Sequence, residues 1–220
     1  MLKVVVYDNG YGGELFADKL ESELPILNVI RVIDWRNRDA IQSSPKSARK
    51  IAESTLRPYF GNVDLIVFAN YLIALTSLKY FCKKYKDQAF LGLHLTESSS
   101  VLKKNILILG TKTISHQLQY KSYLFHLKSK SFTICLDEWP NLIDDGELTM
   151  NTVHNKFEQS LPKKYPKPDG LILACSQFYD IKDELRNVFG KNIKIYDDFT
   201  TLTDGVVKKL KIRGARAKKK

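Results

Sequence analysis

The sequence predicts an α/β fold in which parallel strands alternate with helices in two successive sets. Short apolar runs alternate with stretches that carry apolar residues at helical spacing. The same scheme occurs in both halves of the 220-residue chain, and polar loops follow the apolar runs. Strands that alternate with helices form parallel βαβ units with right-handed crossovers, so two such units are expected.

The first half is predicted to hold four strands. Its first helix carries apolar residues at Leu15, Phe16, Leu20 and Leu24, and Pro25 helps to end it. The polar stretch 34–45 is interpreted as a loop. The predicted strands are 2–7, 29–33, 64–69 and 90–93, and the predicted helices are 14–24, 47–59 and 71–85.

The second half repeats this order after a division near residues 94–104. Its predicted strands are 105–109, 132–135, 171–174 and 193–196, with helices at 116–127, 148–160, 179–189 and 203–210 and a proline-containing loop at 163–169. We expect a first subdomain at 1–95, completed by 197–210, and a second at 96–196. Residues 211–220 are expected to be a disordered basic tail.

Most of the net charge of +11 lies in the last segment of the chain. Residues 208–220 contain eight Lys or Arg and no acid, which leaves 27 bases against 24 acids elsewhere. This tail predicts non-specific contact with polyanions, whereas the motifs of specific nucleic-acid binding are absent from the sequence. We find neither an apolar run of membrane-spanning length nor a signal-peptide pattern, so a cytoplasmic protein without membrane contact is expected.

The apolar run 171–174 ends at Cys175 and is followed by Ser176 and Gln177. Cys175 has two interpretations. A free cysteine is often a small buried hydrophobe, but a thiol at the amino terminus of a helix can be stabilised as a thiolate. Ligands collect outside the carboxyl ends of parallel strands, which makes Cys175 a candidate acid or base.

The other cysteines and the histidines predict neither disulfide bonds nor a metal site. The three cysteines include no CxxC pair, and the four histidines show no HxH or HExxH spacing. Cys135 is a weaker candidate than Cys175, and Cys82 is interpreted as a packing residue inside a helix. His94 follows the fourth predicted strand, where it is either an exposed loop residue or an acid or base.

A glycine-rich loop, DNGYGG at 8–13, follows the first strand. Its spacing is not GxGxxG, so a dinucleotide site is not favoured. Glycines here permit positive φ angles and a close approach of backbone amides to a small anion, or simply a tight turn.

Four segments match a known set of motifs in chain order. Residues 6–13 read VYDNGYGG against hFDSGhGG, where h is hydrophobic, and residues 108–120 contain the GT pair and the tyrosine of hhGTxxThxSxxY. Residues 135–148 begin with cysteine and end in GEL, as in CPxhVPhhExGEL, and residues 173–178 read LACSQF against LGCTHY. On these residues the chain resembles the cofactor-independent aspartate/glutamate racemases, most closely glutamate racemase, over nearly its whole length.

The resemblance implies two similar α/β subdomains related by a pseudo-twofold axis, with a small acidic amino acid or dicarboxylate in a cleft between them, no cofactor, and a homodimer. In the family two cysteines face each other across the substrate, one removing the α-proton and the other returning it on the opposite face. The resemblance assigns proton transfer to Cys175 and substrate binding to Asp8, Asn9, Asn70, Thr111, Ser176 and Gln177.

The chain departs from the family pattern at three places, the first of which is the position of the first catalytic cysteine. The family reads hhhACNTASA where residues 66–74 read IVFANYLIA, so Asn70 replaces the thiol. A carboxamide cannot transfer a proton but can form hydrogen bonds to a carboxylate or enolate. The family's PYG loop is missing from 34–44, and Gln177 replaces the histidine of CTH. Three hypotheses remain: a racemase-like enzyme with one thiol, a one-thiol decarboxylase, and an inactive protein that binds a ligand or partner.

Overall fold

The computed structural model describes residues 1–95, 105–127, 129–148, 150–160, 167–196 and 198–212. The chain divides into two compact units. The first comprises Met1–His94 together with the chain from Asp198 onward, and the second comprises Leu95–Asp197.

The first unit contains a four-stranded sheet in which all strands are parallel. Its elements are β1 (Leu2–Asp8), α1 (Tyr11–Glu23), β2 (Leu27–Ile33), α2 (Arg38–Ser43), α3 (Pro45–Leu56), β3 (Leu65–Phe68), α4 (Tyr71–Lys84), β4 (Phe90–Gly92) and, from the end of the chain, α10 (Asp198–Lys209). The strand order is β2-β1-β3-β4. Strands β1 and β3 are central, and their apolar residues are buried because helices cover a parallel sheet on both faces.

Aromatic side chains form much of the core of the first unit. The Phe68 ring lies 5.0 Å from Phe81 and 5.9 Å from Phe90, which joins β3 to α4 and β4. The Phe16 ring lies 5.2 Å from Phe199, so the last helix packs on α1. Removing one buried aromatic ring typically costs about 3–5 kcal/mol, so these contacts fix the strand ends that carry polar residues.

The second unit contains another four-stranded parallel sheet. Its elements are β5 (Asn105–Gly110), α5 (Lys112–Ser115), α6 (Leu118–His126), β6 (Lys130–Cys135), α7 (Trp139–Asp144), α8 (Met150–Ser160), β7 (Gly170–Leu173), α9 (Lys182–Phe189) and β8 (Lys194–Tyr196). The strand order is β6-β5-β7-β8, which repeats the order of the first sheet. Trp139, Phe157 and Phe189 pack edge to face beside this sheet.

The predicted fold class, two similar parallel-sheet α/β subdomains, is confirmed by these two sheets. The pseudo-twofold axis and the ligand cleft remain predictions. In the described part of the chain, no helix combines the length and the apolar character of a membrane span.

Two local predictions are corrected, and one short helix was not predicted. The stretch 34–45 was expected to be a loop, but it contains a 3₁₀ turn at Trp35–Asn37 and helix α2. A short helix, α7, occupies the segment before the predicted helix at 148–160. The helix expected to begin at Tyr179 begins at Lys182, after a 3₁₀ turn at Ser176–Tyr179. These short elements lack the long apolar period by which helices are recognised in a sequence.

Candidate functional site

Three polar residues meet at the carboxyl edge of the first sheet, and we call them the amide cluster: Asp8, Asn9 and Asn70. Asp8 ends β1, and Asn70 follows β3, the strand beside it. Their side chains are 0%, 1% and 8% exposed, respectively. Because buried polar groups require hydrogen-bond partners, the bonds within the cluster decide what it can offer to a ligand.

Asn70 is the centre of the amide cluster. Its Nδ2 donates to Asp8 Oδ1 at 3.2 Å and to Asn9 Oδ1 at 2.5 Å, and its Oδ1 accepts from the backbone N–H of Ile73 at 3.0 Å. Both amide hydrogens are therefore engaged, and the oxygen caps helix α4. Without breaking these bonds, Asn70 can offer a ligand only the second lone pair of its oxygen.

The loop that carries Asp8 and Asn9 is held from two further sides. Asn9 Nδ2 donates to the carbonyl oxygen of Arg38 at 3.2 Å, and the N–H of Asp34 donates to the carbonyl of Asp8 at 2.8 Å. A Cβ atom at Gly13 would lie 2.4 Å from the Cβ of Asp8. Glycine is needed at this position for close approach, and the positive φ angles that we expected in this loop do not occur.

Asp34 anchors the chain that follows β2. Its carboxylate accepts hydrogen bonds from Tyr7 at 3.3 Å, Thr55 at 3.0 Å and Asn37 at 2.8 Å. Burial, and next the neighbouring Asp34 carboxylate, raise the pKa of Tyr7 well above its usual value. Tyr7 therefore stays protonated and donates, which fixes the segment leading to Arg38.

A second group of polar residues lies at the carboxyl edge of the second sheet, and we call it the thiol cluster: Cys175, Ser176, Gln177 and Asp144. Cys175 follows β7 and is 7% exposed. Its Sγ–H donates to Gln177 Oε1 at 3.0 Å, and Ser176 Oγ donates to the same oxygen at 3.2 Å. Gln177 Nε2 donates to Asp144 Oδ2 at 3.5 Å.

The backbone after Cys175 differs from the helix that the sequence predicted. Cys175 has an extended conformation and precedes a 3₁₀ turn of four residues, Ser176–Tyr179, before α9 begins at Lys182. The field of a helix amino terminus comes from aligned peptide dipoles, and one short turn supplies few of them. The helix field that was expected to stabilise a thiolate at Cys175 is therefore weak.

Thr111 begins the loop after β5, and its hydroxyl accepts from the N–H of Ile114 at 3.5 Å, capping α5. Lys112 in the same loop binds Asp137 through its backbone N–H at 2.7 Å and its ammonium group at 3.6 Å. Cys135, at the end of β6, donates to Ser115 Oγ at 3.7 Å. This loop is thus held by contacts within the second unit.

The remaining candidates lie outside the two clusters. His94 is exposed, two residues after the end of β4. Cys82 was interpreted as a packing residue, but it is exposed on α4, so that interpretation is wrong. Among the residues that the structure describes, no group of His, Cys, Asp or Glu has an arrangement that could hold a metal ion.

Three residues of interest were missed in the sequence. Tyr71 and Asp198, each 2% exposed, form a buried hydrogen bond between the phenol and the carboxylate. Their separation of 127 residues gives no sequence signal. Asp144 has a signal, because it stands where the first acid of the ExGEL pattern falls.

The fold and the two clusters define a parallel α/β protein of two units with polar strand ends, and this is the fold of the glutamate racemases. The structure of glutamate racemase from Escherichia coli in complex with L-glutamate and the activator UDP-MurNAc-Ala has a TM-score of 0.85, covering 96% of this chain and 83% of that one at 18% identity. Aspartate racemase from Picrophilus torridus has a TM-score of 0.61, covering 94% and 92% at 19% identity.

Two curated relatives carry the comparison at the level of sequence. Glutamate racemase from Bifidobacterium animalis subsp. lactis is 20% identical over 209 residues, 88% of this chain and 79% of the relative. Glutamate racemase from Buchnera aphidicola subsp. Schizaphis graminum is 22% identical over 218 residues, 93% and 84%. No family model matches the chain. The resemblance predicted from the motifs is confirmed: in sequence and in fold the chain is similar to glutamate racemases, and in fold it is also similar to an aspartate racemase.

Proposed function

We propose that this protein binds a small acidic amino acid or dicarboxylate and exchanges a proton at its α-carbon, with Cys175 as the single acid/base thiol. The placement of Cys175 carries the proposal. Its sulfur is buried at the end of β7 beside two polar side chains. The position that the family uses for the other thiol is Asn70, which is committed to hydrogen bonds within the first unit.

The substrate class is proposed from the relatives. They are named glutamate racemases, and the Escherichia coli structure contains L-glutamate. We assign ligand binding to the amide cluster in the first unit and to Thr111, Ser176 and Gln177 in the second. Ser176 and Thr111 supply hydroxyl groups, and Asp8 supplies a carboxylate suited to an ammonium group.

Inversion at the α-carbon requires a base on one face and an acid on the other. A single thiol removes and returns the proton on the same face, so the expected reaction is proton exchange with solvent without inversion. His94 is the candidate for a second acid or base, and His94→Ala tests that role separately.

The experiment is incubation in D₂O with glutamate, aspartate and small dicarboxylates, with the α-proton signal followed by NMR. We expect slow loss of this signal without a change of configuration. The loss should disappear in Cys175→Ala and persist in Cys135→Ser, the matched thiol on the same sheet edge. Full exchange by Cys175→Ala would contradict the role of Cys175.

A protein that binds the ligand without turnover is the second candidate. The hydrogen bonds of Asn70 favour this candidate, because both hydrogens of its amide donate to residues of the fold and neither is left for a substrate. Calorimetric binding of a dicarboxylate without proton exchange or carbon dioxide release would select this candidate. Carbon dioxide release from a dicarboxylate that depends on Cys175 would instead select the one-thiol decarboxylase.

The assembly of the protein and its cellular location are proposed separately from its chemistry. We propose a homodimer in the cytoplasm, by resemblance to the family. The predicted polyanion contact of the basic tail falls mostly on residues 213–220, which lie outside the described residues. Sedimentation of the purified protein, with and without a polyanion such as heparin, tests the dimer and the tail contact.

A further inference from the structure

The carboxamide of Gln177 lies between a carboxylate and a thiol. Its Oε1 accepts from Cys175 at 3.0 Å and from Ser176 at 3.2 Å, and its Nε2 donates to Asp144 at 3.5 Å. The Gln177 side chain is 3% exposed. These three bonds involve both ends of the amide, so they specify which end faces the sulfur.

Asp144 determines this orientation. A carboxylate accepts hydrogen bonds but cannot donate them, so it attracts the NH₂ end of the amide and repels the carbonyl end. With Nε2 turned towards Asp144, Oε1 is turned towards Cys175 and Ser176. The two lone pairs of Oε1 then accept the two donors, and this arrangement satisfies all three partners.

The orientation selects one protonation state of the sulfur. A carbonyl oxygen can accept a hydrogen bond from a thiol, but it has no hydrogen to donate to a thiolate and repels the thiolate charge. A histidine, which the family motif has at this position, can donate to a thiolate. We propose that Gln177, aligned by Asp144, holds Cys175 as a neutral thiol, so that Cys175 enters the reaction as an acid; Gln177 and Asp144 are positioning residues.

The inference rests on the proposed function for its chemical consequence. A substrate carbanion arises when the α-C–H bond breaks in the exchange reaction or when carbon dioxide leaves in the decarboxylase alternative. In the protonation step its electron pair forms the new C–H bond, the S–H bond breaks, and the S–H electron pair stays on sulfur. The thiolate then regains a proton from water. The reverse step needs the thiolate first, and Gln177 Oε1 opposes that state, so α-proton removal should be slow in the protein as it stands.

The proton on Cys175 can be measured without turnover. In a background of Cys82→Ser and Cys135→Ser, Cys175 is the only thiol, and infrared spectroscopy detects its S–H stretching band, which a thiolate lacks. At about pH 7 we expect the full band, at a frequency lowered by the hydrogen bond. Gln177→Leu should keep the band and raise its frequency, because the acceptor is lost.

Two variants should increase the fraction of Cys175 that is present as a thiolate. Gln177→His supplies a donor, so the band should weaken and alkylation of Cys175 by iodoacetamide should accelerate about tenfold, the equivalent of one pKa unit. Asp144→Asn releases the amide orientation and should accelerate alkylation in the same direction. Asp145→Asn removes the charge of the next residue along the chain and serves as the matched control.

Absence of the S–H band in the Cys82→Ser, Cys135→Ser protein with Gln177 and Asp144 intact would overturn the inference. A band frequency that Gln177→Leu leaves unchanged would also overturn it. Equal effects of Asp144→Asn and Asp145→Asn on the alkylation rate would show that Asp144 does not orient Gln177. Failure of the proposed function is a different result, since it would be silence in the D₂O exchange panel while the infrared band follows Gln177.

Discussion

The ends of β3 and β7 occupy the same place in two sheets of the same strand order, and they hold different chemistry. Asn70 and Cys175 each stand two residues after the strand, each follows an alanine whose N–H bonds to the neighbouring central strand, and each occupies the N-cap position of the next helical turn. The residue opposite them differs, because β1 ends in Asp8 and β5 ends in Gly110.

This difference explains the hydrogen bonds that each side chain makes. Asp8 and Asn9 supply acceptors to Asn70, so the amide is bound across the sheet edge. Gly110 has no side chain, and the sulfur of Cys175 bonds instead to Gln177 in its own segment. Asn70 is therefore bound into the fold of the first unit, whereas Cys175 is the side chain to which the proposed function assigns proton transfer.

The largest expected effect is on stability, from Asn70→Ala. It removes a helix cap worth about 1 kcal/mol. It also leaves buried Asn9 Oδ1 without its donor, at about 1–3 kcal/mol. We expect a loss of about 2–4 kcal/mol in urea unfolding from these two effects. Cys175→Ala should lose about 1 kcal/mol or less while abolishing proton exchange. Equal losses of stability in the two variants would contradict the division of roles.

A second contrast concerns two glycines near the ends of the neighbouring strands: Gly13 in α1, after β1, and Gly110 at the end of β5. A Cβ at Gly13 would lie 2.4 Å from Asp8 Cβ and 2.7 Å from Ile33, whereas a Cβ at Gly110 would meet Ala174 Cβ at an ordinary 3.4 Å. Gly13→Ala should therefore cost about 1–3 kcal/mol, as overpacking does. Gly110→Ala should cost less than about 1 kcal/mol in the same denaturation experiment.

The strands and their order of appearance could be predicted from the sequence because apolar runs mark them, and the same pattern placed Cys175 after a strand, as the structure does. The bonds that distinguish the two strand ends could not. Asn70 meets Asp8 across 62 residues, and Tyr71 meets Asp198 across 127. Helix α2 was missed because its six residues carry too little apolar period to be recognised. The 3₁₀ turn at Ser176–Tyr179 was missed for the same reason, so a helix amino terminus does not follow Cys175 directly.

The residues after Asn70 and Cys175 give a third test. Tyr71 donates to buried Asp198 on α10, whereas Ser176 bonds to Gln177 beside it. Tyr71→Phe should lose about 1–2 kcal/mol, because a buried carboxylate loses a donor. Ser176→Ala should lose about 0.5–1 kcal/mol, the usual net value of one hydrogen bond. A larger loss from Ser176→Ala in thermal unfolding would reverse the comparison.

The smallest expected effect is a difference of sign between two surface acids, Glu53 in the first unit and Asp180 in the second. The hydrogen bond from Lys84, and then that from Tyr85, lower the pKa of Glu53. A carboxyl group whose pKa is lowered in the folded state stabilises the fold above its unfolded pKa of about 4.5. This contribution is lost as the pH falls below that value. Glu53→Gln should lose about 0.2–1 kcal/mol at neutral pH and nothing in acid.

Asp180 should behave in the opposite way. Desolvation, and then the charge of Glu184, raise its pKa, so its ionised form disfavours the folded state at neutral pH. Asp180→Asn should therefore stabilise the protein slightly at neutral pH, and the gain should vanish as the pH falls through the folded pKa towards the unfolded one. Urea unfolding of both variants between neutral and acidic pH measures the two signs, and a common sign would show that these acids do not distinguish the two units.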